Sequence, residues 1–270
     1  MLVIKGFNSD CLRDYKRCDI CQRLYYKDSL VKYHNKYYCL DCLDYKADYS
    51  TQNDYNYIKD NDKIRLGIEL EFDYIADKLK AFLFYYKFKL CYDGSIDFGE
   101  FKSPIFNIHR FRYVLKKFYE MYKKYKYDSK LVSSHIHFSF IDKEKNSKLW
   151  NNWGYLKEYF AEEESKFIEY LYDNYDLFGR KFNSYCQVND YDSRYFFINN
   201  TLKNTIEFRL CKVVNYCQLK WLLKFILKFC DIIKKVDKVN FNNYKKIDYL
   251  LYNYYRYYNQ KYLKELKKGV

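Results

Sequence analysis

The stretch RLGIELEFD, residues 65–73, decides the fold class, because its side chains alternate in character. Every second residue is apolar: Leu66, Ile68, Leu70 and Phe72. The residues between them include the carboxylates Glu69 and Glu71. A period of two is typical of a β-strand with one dry face and one wet face. The stretch therefore predicts a sheet whose polar face carries acidic groups.

Other segments repeat this pattern. SSHIHFSF (133–140) and NTIEFRL (204–210) alternate in the same way, and CYDGSIDFGEFKSP (91–104) is typical of a turn-rich hairpin. Between them, 111–125 and 219–233 carry apolar residues at helical spacing. We predict an α+β fold, a mostly antiparallel sheet with helices packed on its apolar face. Its other face would carry acids, histidines and arginines, as the floor of an active site does.

Composition excludes several classes of protein. With 49% hydrophobic residues the chain can bury a core, so wholesale disorder is excluded. Lysines interrupt the apolar stretches and the start has no signal-peptide pattern, so we expect a cytoplasmic protein without a membrane partner. The net charge of +14 permits nucleic-acid binding. However, 36 Tyr, 22 Phe and only one Pro suggest AT-rich codons, as in a virus or mobile element. Nucleic acid is therefore a permitted partner, not a favoured one.

The chain divides into four parts. Residues 11–44 hold five of the ten cysteines, and the polar segment 45–62 is typical of a linker. Residues 63–235 contain the alternating strand and helix patterns. Residues 236–270 form a basic, aromatic tail with helical spacing, which would either cover the core or dock a partner.

Four cysteines in the first part have the spacing of a metal site. Cys18 and Cys21, and then Cys39 and Cys42, form two C-x2-C pairs separated by 17 residues. Four thiolates complete the tetrahedral coordination of a structural Zn²⁺. We predict a small zinc-ribbon-like module. His34 could replace one ligand, although we expect it to lie on the loop. The module could bind nucleic acid or a protein, or support the neighbouring domain.

The polar face of the predicted sheet has the composition of a metal site. Glu69 and Glu71 point the same way about 7 Å apart, and each such pair repels by ~2.4 kcal/mol at an effective dielectric of about 20. If Glu100 and Glu207 join them, divalent cations would offset the repulsion, and oxygen-rich ligation with imidazole suits Mg²⁺ or Mn²⁺. Taken singly, the motifs have simpler explanations: a solvated acidic face, or a cross-strand ion pair in E-x-R.

Taken in order, the motifs resemble those of the amidoligase family, which is similar to glutamine synthetase and glutamate–cysteine ligase. The resemblance covers about residues 63–235. Its motifs are GIELEF (67–72), DGS (93–95) followed by E-x-x-SP (100–104), SHIHFSF (134–140), GRKFNSYC (179–186), and R-x12-EFR (194–209). The family implies a curved antiparallel sheet that forms an open cradle. It also implies an ATP-dependent carboxylate–amine ligase that forms an amide bond through an acyl phosphate.

The resemblance assigns metal ligands by position. Glu69 and Glu71 would bind different Mg²⁺ ions, Glu100 would hold the second ion, His135 would be a direct ligand, and Glu207 would complete the ligation. His137 would contact the nucleotide phosphates.

The remaining assignments concern charge and substrate. Arg194 and Arg209 would neutralise charge on the transferred phosphoryl group. Asp93 would orient or deprotonate the amine, unless it is simply the turn residue before a glycine. Arg180 and Asn183 would bind the nucleotide or the substrate carboxylate; ordinary ion pairing at a helix end is the alternative.

Two features depart from the family pattern. Lys102 stands where the family commonly has an apolar side chain, and CKVVNYCQ (211–218) follows EFR without the expected turn of small residues. We expect these departures to affect the substrate side and not the metal ligands. The identities of the carboxylate and the amine are open, and either could belong to a protein or peptide. The alternative function is a catalytically inactive, zinc-containing module that binds nucleic acid or protein.

Overall fold

A computed structural model describes residues 14–45, 63–92, 98–162, 164–200, 205–236 and 241–268. Asp93 with its DGS motif, and the linker from residue 46 to 62, lie outside the described residues. Within them, none of the helices combines the length and the apolar character that are needed to span a bilayer.

The main domain is built on a six-stranded antiparallel sheet, which confirms the predicted α+β class. The strands are β5 (Ile64–Tyr74), β6 (Lys89–Cys91), β7 (Gly99–Lys102), β8 (Lys130–Phe140), β9 (Ile198–Asn199) and β10 (Ile206–Cys211). Their order across the sheet is β6-β7-β5-β8-β10-β9. The two central strands, β5 and β8, are the longest at 11 residues each.

The apolar face of this sheet is covered by helices. The helices of the main domain are α2 (Asp77–Tyr85), α3 (Ile108–Tyr125), α4 (Lys143–Glu162), α5 (Lys166–Asp173), α6 (Tyr216–Ile233) and α7 (Phe241–Leu266). In β5, the four predicted apolar residues are at most 1% exposed. Helix α3 packs on β5, and α4 packs on β8. Trp153 of α4 is fully buried, and its Nε1 donates a hydrogen bond to the Ile198 carbonyl, 2.7 Å away.

Two of the long helices begin at asparagine side chains that cap them. The Asn107 side chain accepts a hydrogen bond from the Arg110 N–H at the start of α3, and Asn215 accepts one from the Gln218 N–H at the start of α6. The predicted apolar stripe of α6 is completely buried: Leu219, Leu222, Leu223, Ile226, Cys230 and Ile233.

The C-terminal helix is part of the same core. Helix α7 packs against α5 and α6. Tyr255 is fully buried, and its hydroxyl donates to the Asn174 carbonyl, 2.8 Å away. The Asp248 carboxylate accepts from the Ser165 hydroxyl and from the Lys166 and Phe167 N–H groups at the start of α5. Of the two roles considered for the tail, the structure therefore shows it covering the core.

The N-terminal module consists of two short hairpins and one helical turn. These are β1 (Tyr15–Arg17), β2 (Leu24–Tyr26), β3 (Val31–Tyr33), β4 (Lys36–Tyr38) and α1 (Leu40–Asp44). It packs on α2, where Tyr38 and Leu43 bury Ala81. Lys80, a buried residue of α2, forms an ion pair with Asp44. His34 lies in the β3–β4 turn and stacks on Tyr85, 5.0 Å between ring centroids. Helix α2 therefore joins the module to the apolar side of the sheet.

Gly179 occupies a position that only glycine fits. Its φ is +80°, and a Cβ there would lie 2.3 Å from the Lys212 carbonyl oxygen. We expect Gly179→Ala to lower the free energy of unfolding by about 3 kcal/mol, because both the backbone and the close contact become strained. Urea unfolding followed by circular dichroism measures this. Gly154→Ala within α4 is the matched control and should change stability by less than about 1 kcal/mol. Equal midpoints for the two variants would contradict the expectation.

Candidate functional site

The four cysteines of the N-terminal module lie together. Their sulfur atoms are all within 4.8 Å of one another, and Cys21 Sγ is 3.9 Å from Cys39 Sγ. Tetrahedral Zn–S bonds of about 2.3 Å place sulfur atoms about 3.8 Å apart, so this group could hold a metal ion such as zinc.

Backbone groups donate hydrogen bonds to two of the four cysteines. The Ile20 and Cys39 N–H groups donate to Cys18 Sγ at 3.4 Å. A hydrogen bond from the Arg23 backbone lowers the pKa of Cys21 to about 7. Burial, together with hydrogen bonds to the other thiols, raises the pKa of Cys42. Thiolates are the form that binds metal, so the turn favours the metal-binding form at Cys21. His34 stacks on Tyr85 instead of joining the sulfur cluster.

The second cluster lies on the polar face of the main sheet. Five predicted ligands come from four neighbouring strands: Glu69 and Glu71 on β5, Glu100 on β7, His135 on β8 and Glu207 on β10. The strand register brings them together. Glu69 pairs with His135, Glu71 pairs with Glu100, and Glu207 pairs with His137.

His135 is the centre of this cluster. Its Nδ1 lies 3.2 Å from Glu69 Oε2 and 3.3 Å from Glu207 Oε1. On the other side of the ring, Nε2 lies 3.3 Å from Glu71 Oε1 and 3.3 Å from the Ser133 hydroxyl. That hydroxyl donates a 2.6 Å hydrogen bond to Glu71 Oε2. The imidazole therefore has acidic groups on both edges.

Glu69, His135 and Glu207 meet the geometric requirement for a cation site. One ligand atom from each lies within 4.8 Å of the others. Adjacent ligands of an octahedral ion at about 2.1 Å are about 3.0 Å apart. The separations of 3.2 and 3.3 Å between His135 Nδ1 and the two carboxylate oxygens are close to this ligand–ligand distance, so the three donors fit one small divalent ion.

Lys102 is also part of this cluster. Its Nζ lies 2.8 Å from Glu69 Oε1 and 2.9 Å from Glu100 Oε1, and its side chain is 6% exposed. Because it sits two residues from Glu100 on β7, it shares the polar face. The alternation along residues 98–102 could have identified it. The expectation that Lys102 would leave the predicted metal ligands unaffected is wrong, because it contacts Glu69 and Glu100 directly.

The charges in the cluster shift several pKa values. Burial raises the pKa of Glu69, but His137, His135 and Lys102 together hold it well below its usual value. Burial lowers the pKa of His137, but the Glu69 carboxylate beside it raises this pKa above its usual value. Burial likewise opposes the charged form of Lys102, yet Glu69 and Glu100 raise its pKa. These shifts favour the ionised form of Glu69 and the cationic form of Lys102 at neutral pH.

The predicted arginines occupy different positions. Arg209 forms a 2.7 Å ion pair with Glu207 Oε1, and its guanidinium lies 5.6 Å from the Tyr195 ring. Arg194 lies 4.7 Å from the same ring. Tyr195 therefore links the two arginines beside the cluster, a contact that sequence reasoning missed because 180–197 has little regular structure.

Arg180 and Asn183 are not brought into the acidic cluster. The Arg180 guanidinium lies 3.5 Å from Asn183 Oδ1. In the part of the chain that the structure describes, neither makes a hydrogen bond or an ion pair with the five predicted metal ligands. Asn199 was missed: its side chain lies 3.5 Å from Glu207 Oε2 and donates to the Arg194 carbonyl, 2.9 Å away.

Comparison of the chain with protein-family models, curated proteins and solved structures gives no significant match in any of the three.

Proposed function

We propose that the main domain is an ATP-dependent carboxylate–amine ligase, in which the polar face of the sheet forms an open cradle for a nucleotide and a divalent cation. One observation carries the proposal. Acidic and histidine residues from four separate motifs, which together resemble the amidoligase family, lie on one face: three glutamates surround His135, and Lys102 connects Glu100 to Glu69. If these glutamates only formed a solvated face of the strands, they would not be expected to surround a buried imidazole.

Mg²⁺ or Mn²⁺ is the ion that suits this ligand set. Glu69, His135 and Glu207 would hold it, because hard oxygen donors with a single imidazole favour these ions over softer metals. When bound, the ion would neutralise phosphate charge and orient the nucleotide.

The side chains of the cluster differ in exposure, and the difference indicates the side from which the nucleotide would approach. Glu100 and Glu207 are 1% and 4% exposed, whereas His137 and Arg209 are each 17% exposed. We therefore place the nucleotide phosphates on the His137–Arg209 side. There a protonated His137 would donate to a phosphate oxygen, and Arg209 would neutralise charge on the transferred group. Arg194 would supply a second positive charge through Tyr195.

The amine needs a base, because an ammonium ion is not a nucleophile at neutral pH. Asp93 remains our candidate for this role. The carboxylate substrate would be phosphorylated by ATP, the amine would attack the acyl phosphate, and an amide, ADP and phosphate would result. We propose that the cysteine cluster holds a structural Zn²⁺ in a ribbon-like module that supports the domain through α2.

The function is tested with the purified full chain. Calorimetry with a non-hydrolysable ATP analogue and Mg²⁺ should show nucleotide binding that EDTA abolishes. Incubation with ATP, Mg²⁺ and an extract of the host cells should then release ADP and give new amide linkages in mass spectra. Phosphorylated carboxylates without amides would indicate a kinase. Salt-dependent binding of DNA or RNA, with no affinity for nucleotide, would indicate the binding-module alternative.

A further inference from the structure

We infer that Lys102 takes the place of one of the two divalent cations that the resemblance implies, so that this site holds a single metal ion between Glu69, His135 and Glu207. The inference deepens the proposed function and rests on its metal site. It assigns Lys102 as an internal counter-ion, and it reassigns Glu71 and Glu100 from metal ligands to residues that position other groups.

The first argument is the position of the ammonium group. Lys102 Nζ contacts Glu69 Oε1 at 2.8 Å and Glu100 Oε1 at 2.9 Å. These are the distances of charge-assisted hydrogen bonds. The pairing of Lys102 with Glu69 in the β5–β7 register fixes the lysine backbone there. A second divalent ion bound by Glu100 would have to displace a tethered cation, or lie beside it and be repelled.

The second argument is that the two carboxylate oxygens of Glu69 face different partners. Oε1 faces Lys102, while Oε2 faces His135 Nδ1 at 3.2 Å. The lysine therefore leaves Oε2 available for the ion that Glu207 and His135 would share. One carboxylate thus serves both the fixed cation and the metal ion.

The third argument concerns Glu71, which lies on the other edge of the imidazole. Its Oε2 accepts from the Ser133 hydroxyl at 2.6 Å, and its Oε1 is 3.3 Å from His135 Nε2. Histidines that bind metal through one nitrogen commonly donate the other N–H to a carboxylate, which fixes the tautomer and the ring orientation. Glu71 is placed to do this for His135, with Nδ1 left for the metal. It is therefore a positioning residue.

The fourth argument is charge balance. The four carboxylates carry −4, and Lys102 and Arg209, both ion-paired to them, supply +2. Before the imidazoles are counted, these side chains leave −2, so one divalent cation is enough to offset the excess of carboxylate charge. A second such ion would leave the cluster with excess positive charge before any substrate bound.

The stoichiometry of Mn²⁺ binding tests the inference without any need for turnover. Protein with zinc already in its cysteine site is titrated with Mn²⁺ alone, and free Mn²⁺ is counted by electron paramagnetic resonance. We expect one Mn²⁺ per wild-type chain and a second in Lys102→Met. Lys117→Met is the matched control: Lys117 lies exposed on α3, paired with Glu120, and this variant should keep one ion.

Two more variants control for misfolding of Lys102→Met and distinguish metal ligands from positioning residues. Glu100→Gln/Lys102→Met removes the carboxylate and the ammonium together and should bind one ion. Glu71→Gln should also bind one ion, about 10–100-fold more weakly. Two ions in the wild type, one of them lost in Glu71→Gln, would overturn the inference and leave the proposed function intact. Lys102→Met that folds and still binds one ion would also overturn the inference. No Mn²⁺ binding by the wild type would remove the metal site, and with it the proposed function.

Discussion

Cys39→Ser is expected to release zinc and unfold residues 14–45 while the main domain stays folded. The buried cluster around the thiols consists of Cys18, Leu30 and Cys39, and the variant changes one of these three. Tyr38 and Leu43 are buried against Ala81 of α2 and not in a core of the module's own, so we expect the module not to fold without a metal. Binding of structural zinc contributes about 10–16 kcal/mol in comparable sites, so loss of one thiolate should remove most of the folding energy of the module.

Limited proteolysis combined with metal analysis measures this. The wild type should contain one zinc per chain and resist cleavage within 14–45, and Cys39→Ser should contain none and be cleaved there. Cys217→Ser is the matched control, because this cysteine lies on α6, where its thiol donates to Glu265. A variant without zinc that resisted cleavage as well as the wild type would show that packing on α2 suffices.

Glu207→Gln should weaken Mn²⁺ binding at least about 100-fold and reduce ADP formation by at least about 1000-fold. The change keeps the size of the side chain but removes the charge that lies 3.3 Å from His135 Nδ1 and 2.7 Å from Arg209 Nη1. The metal would lose an anionic ligand, and Arg209 would lose the partner that orients it towards the phosphates.

Measurements of Mn²⁺ affinity and of ADP release separate the two effects. Glu120→Gln is the control, because Glu120 is a half-exposed carboxylate on α3 whose pair with Lys117 lies at the surface. The double variant Glu69→Ala/Glu207→Ala should be inactive. Turnover by that variant equal to that of the wild type would refute the assignment of the metal ligands.

Much of the sheet could be predicted because alternation is a local property. The alternation in segments 65–73 and 133–140 predicts which side chains share a face, and the structure places these side chains as expected. Register is not local. The pairing of Glu69 with both Lys102 and His135 depends on how three distant strands align. A motif resemblance could anticipate the contact with His135, but not the one with Lys102, which departs from the pattern.

Two other features depend on contacts that sequence patterns do not specify. The zinc spacing predicted the cysteine cluster, but docking of the module on α2 results from surface packing between parts of the chain that are distant in sequence. The segment from Gly179 to Phe197 has little regular structure, so it offers no periodicity from which the contact of Tyr195 with Arg209 could be predicted.

The enclosed indole of Trp153 gives the protein an internal optical probe. All three tryptophans, at positions 150, 153 and 221, belong to the main domain, and residues 14–45 contain only tyrosines as fluorophores of this kind. Because Trp153 is fully buried, its emission should be blue-shifted. Its hydrogen bond to β9, the strand beside that of Glu207, should make the emission sensitive to conformational changes at that edge of the sheet. Excitation at the red end of the absorption band would therefore report on the main domain alone, because residues 14–45 contain no tryptophan.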